Sequence, residues 1–226
     1  MTRGSRVLVA LVAVWVSACG SSGGEGAEPG TGTIPTKLSD IEGTAEDAFD
    51  QALLGKLDLV TTDANTIDTN WLAFRAQAAT DGAAAADLTA MDQAIAGLQA
   101  ALTAGGDNVV VARAANAISG PMDELFALYD PAVPPALLAL DYLGREVVLD
   151  AKQADWTGAS AHVATIESTF AGLKASVVDA GGQTNVDDYA ASVAALKADI
   201  TAKDAGAIEA EANVGLELVD AMEGLF

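Results

Sequence analysis

The sequence predicts an all-α protein of about eight helices, arranged as two repeated antiparallel four-helix units. From residue 37 onward, apolar residues recur at spacings of three and four, the period of an amphipathic helix, without the alternation of a strand. The order of helical runs in the first half recurs in the second half, beyond a proline-rich segment. Short turns between successive runs make neighbouring helices antiparallel.

Four helical runs are predicted before the prolines. The first carries Ile41 and Phe49 on its apolar stripe, and the second carries Trp71. Asp87 is expected to cap the third run, since aspartate accepts hydrogen bonds from free backbone N–H groups at a helix start. Gly120-Pro121 should kink or break the fourth run. The runs span residues 40–55, 58–79, 87–103 and 108–129.

Residues 130–135 are predicted to be a linker, because prolines at 131, 134 and 135 cannot continue a helix. The helical pattern then starts again, with stripes that include Leu140, Phe170 and Leu196. These runs span residues 136–153, 156–178, 186–201 and 205–226. The sequence therefore divides into a first repeat, 37–129, and a second repeat, 136–226.

The two halves align as an internal repeat. An offset of 99 residues places Ile41 on Leu140 and Trp71 on Phe170, and an offset of 98 aligns two identical Thr-Ala pairs. Small changes of offset near predicted turns are typical of a diverged duplication, because loops tolerate insertion. The sequence leaves open whether the halves form two bundles side by side or one continuous layer.

The N-terminus is predicted to be an export signal. Arg3 and Arg6 precede a ten-residue apolar stretch that is too short to span a bilayer, which needs about 20 residues. The segment Val16-Ser17-Ala18-Cys19 resembles the lipobox of bacterial lipoprotein precursors, with valine in place of the usual leucine. This resemblance implies that residues 1–18 are a signal peptide removed by signal peptidase II and that Cys19 is lipidated. An ordinary secretory signal that leaves a free cysteine is the alternative.

Residues 19–36 are expected to form the lipidated cysteine and a flexible Gly/Ser-rich tether with a reach of roughly 20 to 25 Å. The resemblance implies a location in the bacterial cell envelope, and Gly20 favours the outer membrane over the inner one, because enteric lipoproteins retained at the inner membrane carry Asp there. Since 32 acidic residues face 11 basic ones, nucleic acid is excluded as a partner. The protein would contact the membrane through lipid on Cys19.

No catalytic residues, metal ligands or cofactor are predicted. A Ser-His or Cys-His catalytic arrangement needs a histidine to activate the nucleophile, and the chain has only one histidine and one cysteine. Motifs for di-iron, zinc or c-type haem binding are absent from the sequence. His162 lies beside the apolar stripe of the sixth run and is interpreted as a hydrogen-bonded or exposed boundary residue rather than as a ligand.

One polar pattern recurs in the last run of each half. Asn116 and Asp123 in the first half match Asn213 and Asp220 in the second, and a spacing of seven puts each pair on one face of a continuous helix. Such a face could bridge helices, hold a cation or bind a basic partner. A solvated flank of the stripe is the plainer alternative.

These observations favour a membrane-anchored, non-enzymatic lipoprotein whose helical bundle is a protein-interaction or accessory module in the cell envelope, with a possible envelope protein as partner. That function predicts a large exposed apolar patch. The alternative is a binding protein that holds a metal cation or a small apolar ligand between helices. It predicts a well-formed pocket with a few convergent polar groups.

Overall fold

A computed structural model describes residues 29–226, and it confirms the predicted all-α class. The described chain forms nine helices and no strand. None of these helices is long and apolar enough to cross a membrane. The predicted signal peptide, Cys19 and most of the tether lie outside the described residues. The helices are α1 (Thr36–Leu53), α2 (Leu57–Asp81), α3 (Ala85–Thr103), α4 (Asn108–Asn116), α5 (Met122–Ala127), α6 (Ala136–Lys152), α7 (Trp156–Asp179), α8 (Gln183–Ala202) and α9 (Ala205–Glu223).

The predicted break in the fourth run is confirmed, because α4 ends at Asn116 and α5 begins at Met122, directly after Pro121. The start of α4 contains Val109, Val110 and Val111, which favour a strand locally. The side chain of Asp107 accepts hydrogen bonds from the backbone N–H groups of Val109 and Val110, both at 3.0 Å. This N-cap offsets the local preference and starts the helix.

Aspartates also cap α7 and α9, where Asp155 and Asp204 accept from backbone N–H groups. The prediction that Asp87 caps the third run is wrong. α3 begins two residues earlier, at Ala85, and no side chain caps it. Asp87 lies in the first turn, where its negative charge favours the helix dipole without terminating the helix.

The helices pack as two rings of four. In the first unit α1 contacts α2, α2 contacts α3, α3 contacts α4 and α4 closes the ring against α1. In the second unit α6, α7, α8 and α9 make the same cycle of contacts. Each ring surrounds its own hydrophobic core, one built around Trp71 and Phe74 and the other around Phe170 and Tyr189. The halves are therefore two bundles side by side.

Helix α6 lies between the two bundles. Leu140 and Val147 pack into the second core, whereas Leu149 packs into the first. The helix also contacts α4 and α5 of the first unit. Because α6 is covered on both sides, its acidic residues Asp141, Glu146 and Asp150 are buried as well.

The end of the predicted tether is bound to the first unit rather than loose. The backbone N–H groups of Gly30 and Gly32 donate to the carbonyl oxygens of Leu128 and Tyr129, at 3.0 and 2.7 Å. Ile34 packs against the first core. Residues 29–36 thus form part of the domain, and the rest of the predicted tether lies outside the described residues.

Gly158 allows α7 to approach α6 closely. A Cβ at this position would lie 2.7 Å from Oδ2 of Asp150 and of Asp155, whereas a Cβ at Gly172 on the same helix would meet nothing within 4 Å. We therefore expect Gly158→Ala to lower the free energy of unfolding by about 1 to 3 kcal/mol. Gly172→Ala should raise it by about 0.5 to 1 kcal/mol. Urea denaturation of both variants tests this, and equal effects would contradict the packing described.

Candidate functional site

A cavity of about 440 Å³ lies between the two units, and we call it the interunit cavity. Its walls come from residues just before α1, from α1 and α5, from the proline linker, and from α6 and α9. Prolines at 131, 134 and 135 turn the chain between the units, which leaves this space open. The lining residues are Gly32, Ile34, Ser39, Glu42, Glu46, Phe126, Pro131, Ala132, Val133, Pro134, Pro135, Leu138, Asp141, Asp220 and Glu223.

Five carboxyl groups line the cavity, from three helices. α1 supplies Glu42 and Glu46, α6 supplies Asp141, and α9 supplies Asp220 and Glu223. The remaining lining is mainly apolar, from the linker, Ile34, Phe126 and Leu138. The cavity therefore combines an acidic part with an apolar part.

Two of these carboxyl groups hold a buried oxygen without a hydrogen-bond partner. Asp141 is only 6 % exposed, and its Oδ1 has no partner. Oε1 of Glu223 is likewise buried without a partner. A buried polar atom without a partner is costly, typically by about 1 to 3 kcal/mol, and in a native protein it calls for an explanation. Both residues line the same cavity, and since the two oxygens are themselves closed to solvent, a donor in the cavity reaches them once the carboxyl groups rotate toward it.

Arg145 is the cation that faces this acidic group. Its guanidinium donates to Oε1 of Glu46 at 2.5 Å and lies over the ring of Phe49, 5.7 Å from the centroid. The side chain is 12 % exposed, so the pair is largely removed from water. One guanidinium cannot neutralise five carboxylates. Water solvates the exposed Asp220, whereas the more buried acids favour protons or a bound cation.

The electrostatics of the cavity favour protonation when no cation is bound. Burial raises the pKa of Glu42 to about 8, helped by the charge of Glu46 and a hydrogen bond with it, while Arg145 opposes the rise. Burial, with the charges of Asp220 and Glu46, raises the pKa of Glu223 to about 7. Burial also raises the pKa of Asp141 well above its ordinary value, against the opposing effect of Arg145.

The cavity is built from equivalent positions of the two repeats. With the 99-residue offset, Ser39 corresponds to Leu138, Glu42 to Asp141 and Glu46 to Arg145. With the 97-residue offset, Phe126 corresponds to Glu223. The same faces of the repeated helices therefore meet at this site, and the Glu46–Arg145 pair joins two equivalent positions.

A second polar cluster joins α4, α6 and α7, and we call it the Arg113 network. Arg113 donates to Oε2 of Glu146 and to Oδ1 of Asp150, the latter at 2.7 Å. Asn116 donates to Oε1 of Glu146 at 2.8 Å and to the carbonyl oxygen of Tyr142 at 3.1 Å. Nδ1 of His162 lies 2.8 Å from Oδ2 of Asp150.

Glu146, Asp150 and His162 each offer a ligand atom, and these atoms lie within 4.8 Å of one another. Each of the four carboxylate oxygens, however, already has a protein partner in Arg113, Asn116 or His162. Arg113 also supplies the positive charge that a metal ion would bring. The network is therefore best explained as a structural link between the units.

The residues singled out in the sequence have different surroundings. Asn116 is buried within the Arg113 network, and Asp123 is partly buried on α5, beyond the break that separates it from α4. Asn213 is exposed on α9, whereas Asp220 lines the interunit cavity. Cys19 lies outside the described residues. His162 is hydrogen-bonded and partly exposed, as its position beside the stripe predicted.

Sequence reasoning missed Glu42, Asp141 and Glu223. An acidic residue on the flank of an amphipathic helix is usually solvated, so none of the three stands out from the pattern. The signal that could have identified them is the repeat itself, because Glu42 and Asp141 are acidic residues at equivalent positions. No family model, curated protein or solved structure matches the chain, so its function must be inferred from this site.

The raised pKa values predict how stability changes with pH. Glu42 and Glu223 hold protons in the folded, ligand-free protein at pH values where the unfolded chain releases them. Stability is therefore greatest below the ordinary glutamate pKa of 4.5 and is lost as the pH rises through 7 to 8. We expect the free energy of unfolding to fall by about 1 to 3 kcal/mol between pH 5 and pH 8.

Urea denaturation of the wild type and of Glu42→Gln across this range checks the expectation. The variant should be more stable than the wild type at pH 8 and should lose less stability between the two pH values. Glu124→Gln, at an exposed position on α5, is the matched control and should follow the wild type. A wild-type stability that rises from pH 5 to pH 8 would contradict the burial of these carboxyl groups.

Proposed function

We propose that this protein is a non-enzymatic, lipid-anchored binding protein of the bacterial cell envelope, and that it holds a small positively charged ligand in the interunit cavity. The observation that carries the proposal is Asp141, a buried carboxyl group with an unpartnered oxygen in the wall of a ligand-sized cavity. Small-molecule sites typically enclose about 300 to 1,000 Å³ and combine apolar walls with a few polar groups. The interunit cavity meets both criteria.

The charge of the site defines the class of ligand. Five carboxyl groups and one guanidinium leave the cavity acidic, and burial strengthens the attraction for a cation because the surroundings screen charge poorly. An anionic or neutral ligand would leave these groups without a counter-charge. A cation would take the place of the protons that burial otherwise favours.

The proposed anchor supports this function by holding the cavity close to the membrane. Residues 29–36 pack onto the domain, and Gly32 and Ile34 form part of the cavity wall. If Cys19 carries lipid, only residues 20–28 separate the bilayer from the domain, and they span at most about 30 Å. The cavity would then sample ligands at the membrane surface.

A protein-interaction module, the function favoured by the sequence, has weaker support. In the described chain the large apolar residues with high exposure are distributed over α2, α4, α7 and α9, the α1–α2 turn and the C-terminus. No described helix carries more than two of them, so no single helix offers an apolar docking face. They are Leu54, Leu59, Leu72, Val110, Val178, Val214 and Phe226.

Thermal unfolding with and without cations tests ligand binding. We expect at least one probe among Mg²⁺, Ca²⁺, Zn²⁺, putrescine and hexylamine to raise the Tm of the wild type at pH 8, in buffers of equal ionic strength. A probe at 100 times its Kd stabilises by about 2.7 kcal/mol, which corresponds to roughly 5 to 10 °C for a chain of this size. Asp141→Asn should lose most of this shift, because its amide is neutral and the carboxylate would be missing.

Asp188→Asn, at an exposed position on α8, removes the same charge away from the cavity and should keep the full shift. Glu223→Gln provides a second variant should Asp141→Asn fold poorly. A wild-type Tm that no probe changes at millimolar concentration would overturn the proposed function. Equal shifts in the wild type and in both cavity variants would also overturn it, because the cations would then act through general screening.

The anchor is tested by fractionation. Cys19→Ala removes the lipid attachment site, and since the described helices include none able to cross a bilayer, the variant should leave the membrane fraction as a folded protein. Circular dichroism would show the helical content of the released protein. If the Cys19→Ala protein still sediments with membranes, lipidation is not what holds it there.

A further inference from the structure

The shape and lining of the interunit cavity favour one kind of cation over another. This inference rests on the proposed function. A metal ion needs several ligand oxygens at about 2.0 to 2.6 Å from one centre, so these oxygens must lie within about 5 Å of one another. Within the described chain, the acidic and histidine side chains that come this close in a group of three are Glu146, Asp150 and His162, in the Arg113 network. Among the described residues, the carboxyl groups of the cavity form no such group of three.

The lining of the cavity also favours an organic ligand. Apart from the carboxyl groups and Ser39, the wall is mainly apolar, with the linker prolines, Val133, Ile34, Phe126 and Leu138 as its larger side chains. Such a surface is matched by hydrocarbon, whereas a hydrated metal ion would leave it in contact with ordered water. The size of the cavity, about 440 Å³, accommodates a molecule of several carbon atoms.

The unpartnered oxygens point to an ammonium group that carries N–H donors. Oδ1 of Asp141 and Oε1 of Glu223 both lack a partner, and rotation of each carboxyl group turns an oxygen toward the cavity. The charge of Glu223 is among the causes that raise the pKa of Asp141, after burial. A primary ammonium offers three donors, enough for both oxygens. A quaternary ammonium has no donor and is usually held by several aromatic faces, whereas Phe126 is the aromatic residue in this lining.

We propose that the ligand is an aliphatic primary amine whose ammonium group donates hydrogen bonds to Asp141 and Glu223 while its hydrocarbon part lies against Leu138 and the linker prolines. The carboxyl groups act as charge partners and as acceptors, and the apolar wall selects for chain length. The amine binds at the junction of the repeats, so it contacts both units at once.

Binding of an amine is coupled to the loss of protons from the cavity. The charged groups that act on one another here come from three helices, and Tyr189 on α8 lies close to Asp141. They are Glu42, Glu46 and Asp50 on α1, Asp141 and Arg145 on α6, and Asp220 and Glu223 on α9. Because Glu42 and Glu223 are partly protonated near neutral pH, the ammonium displaces protons as it binds. An aliphatic amine stays charged below about pH 10, so affinity should fall by up to about tenfold per displaced proton for each unit of pH below 7.

Isothermal titration calorimetry of the full chain in phosphatidylcholine nanodiscs tests the assignment, with empty discs as the reference. At pH 8 we expect hexylamine to bind at least tenfold more tightly than hexyltrimethylammonium, and 1-hexanol to show no binding. Titrations in two buffers of different ionisation enthalpy should reveal proton release, and the affinity for hexylamine should fall between pH 8 and pH 6.

Variants separate the two parts of the site. Asp141→Asn and Glu223→Gln should each weaken hexylamine binding by at least tenfold, whereas Asp188→Asn should leave it unchanged. Leu138→Ser should weaken binding of hexylamine more than binding of methylamine, because only the longer amine reaches the apolar wall. Equal losses for the two amines would overturn the placement of the hydrocarbon part.

Other outcomes distinguish this proposal from the broader function. If Ca²⁺ or Mg²⁺ binds in a manner that requires Asp141 and hexylamine does not bind, the amine assignment fails and cation binding stands. If hexyltrimethylammonium binds as tightly as hexylamine, the hydrogen bonds assigned to Asp141 and Glu223 are wrong. If neither the amines nor the metal ions bind, both proposals fail.

Discussion

The burial of helix α6 between the two bundles is the constraint on which the rest of the structure depends. A helix with one apolar stripe can serve one core, but α6 lies between two bundles and carries Asp141, Arg145, Glu146 and Asp150 into the junction. Buried charges are costly unless they are paired and hydrogen-bonded. The junction therefore has to supply partners, and the positions of Arg113, Asn116, His162 and Glu46 follow from that requirement.

The carboxylates near the C-terminal end of α6 have hydrogen-bond partners, whereas one carboxylate oxygen near its N-terminal end has none. Glu146 and Asp150 have a partner on each carboxylate oxygen, so the carboxylates that α6 gives to the Arg113 network are satisfied, and the buried atoms without a partner there, Nε of Arg113 and Oδ1 of Asn116, belong to α4. Asp141, about one turn before Arg145, has an unpartnered oxygen and faces a cavity rather than a partner. Unsatisfied polar groups at functional sites are often retained because a ligand completes them. This contrast within one helix makes the cavity, and not the network, the candidate site.

Much of the fold could be predicted from the sequence, because the spacing of apolar residues such as Ile41, Trp71 and Phe170 identifies the face of each helix that packs into the core. The site could not, since the second buried face of α6 is polar and looks like a solvated flank in the sequence. Asn116 and Asp123 would share a face only on a continuous helix, and Gly120-Pro121 separates them. Residues 29–36 looked like tether because their attachment uses backbone N–H groups, which leave no trace in the pattern of side chains.

The internal repeat explains why the cavity lies where it does. The units dock by packing α6 against α4 and α5, and this places Glu42 on α1 and its counterpart Asp141 on α6 in the wall of the same cavity. Like charges in a buried space repel, and a repeated pair of acids would oppose docking unless something intervened. Arg145 occupies the position in the second repeat that corresponds to Glu46 in the first. The two side chains therefore form a salt bridge instead of repelling each other, and this salt bridge stabilises the junction. The other two acids, Glu42 and Asp141, have raised pKa values that favour their protonated forms, and with α9 they line a cavity that exists only because both units are present.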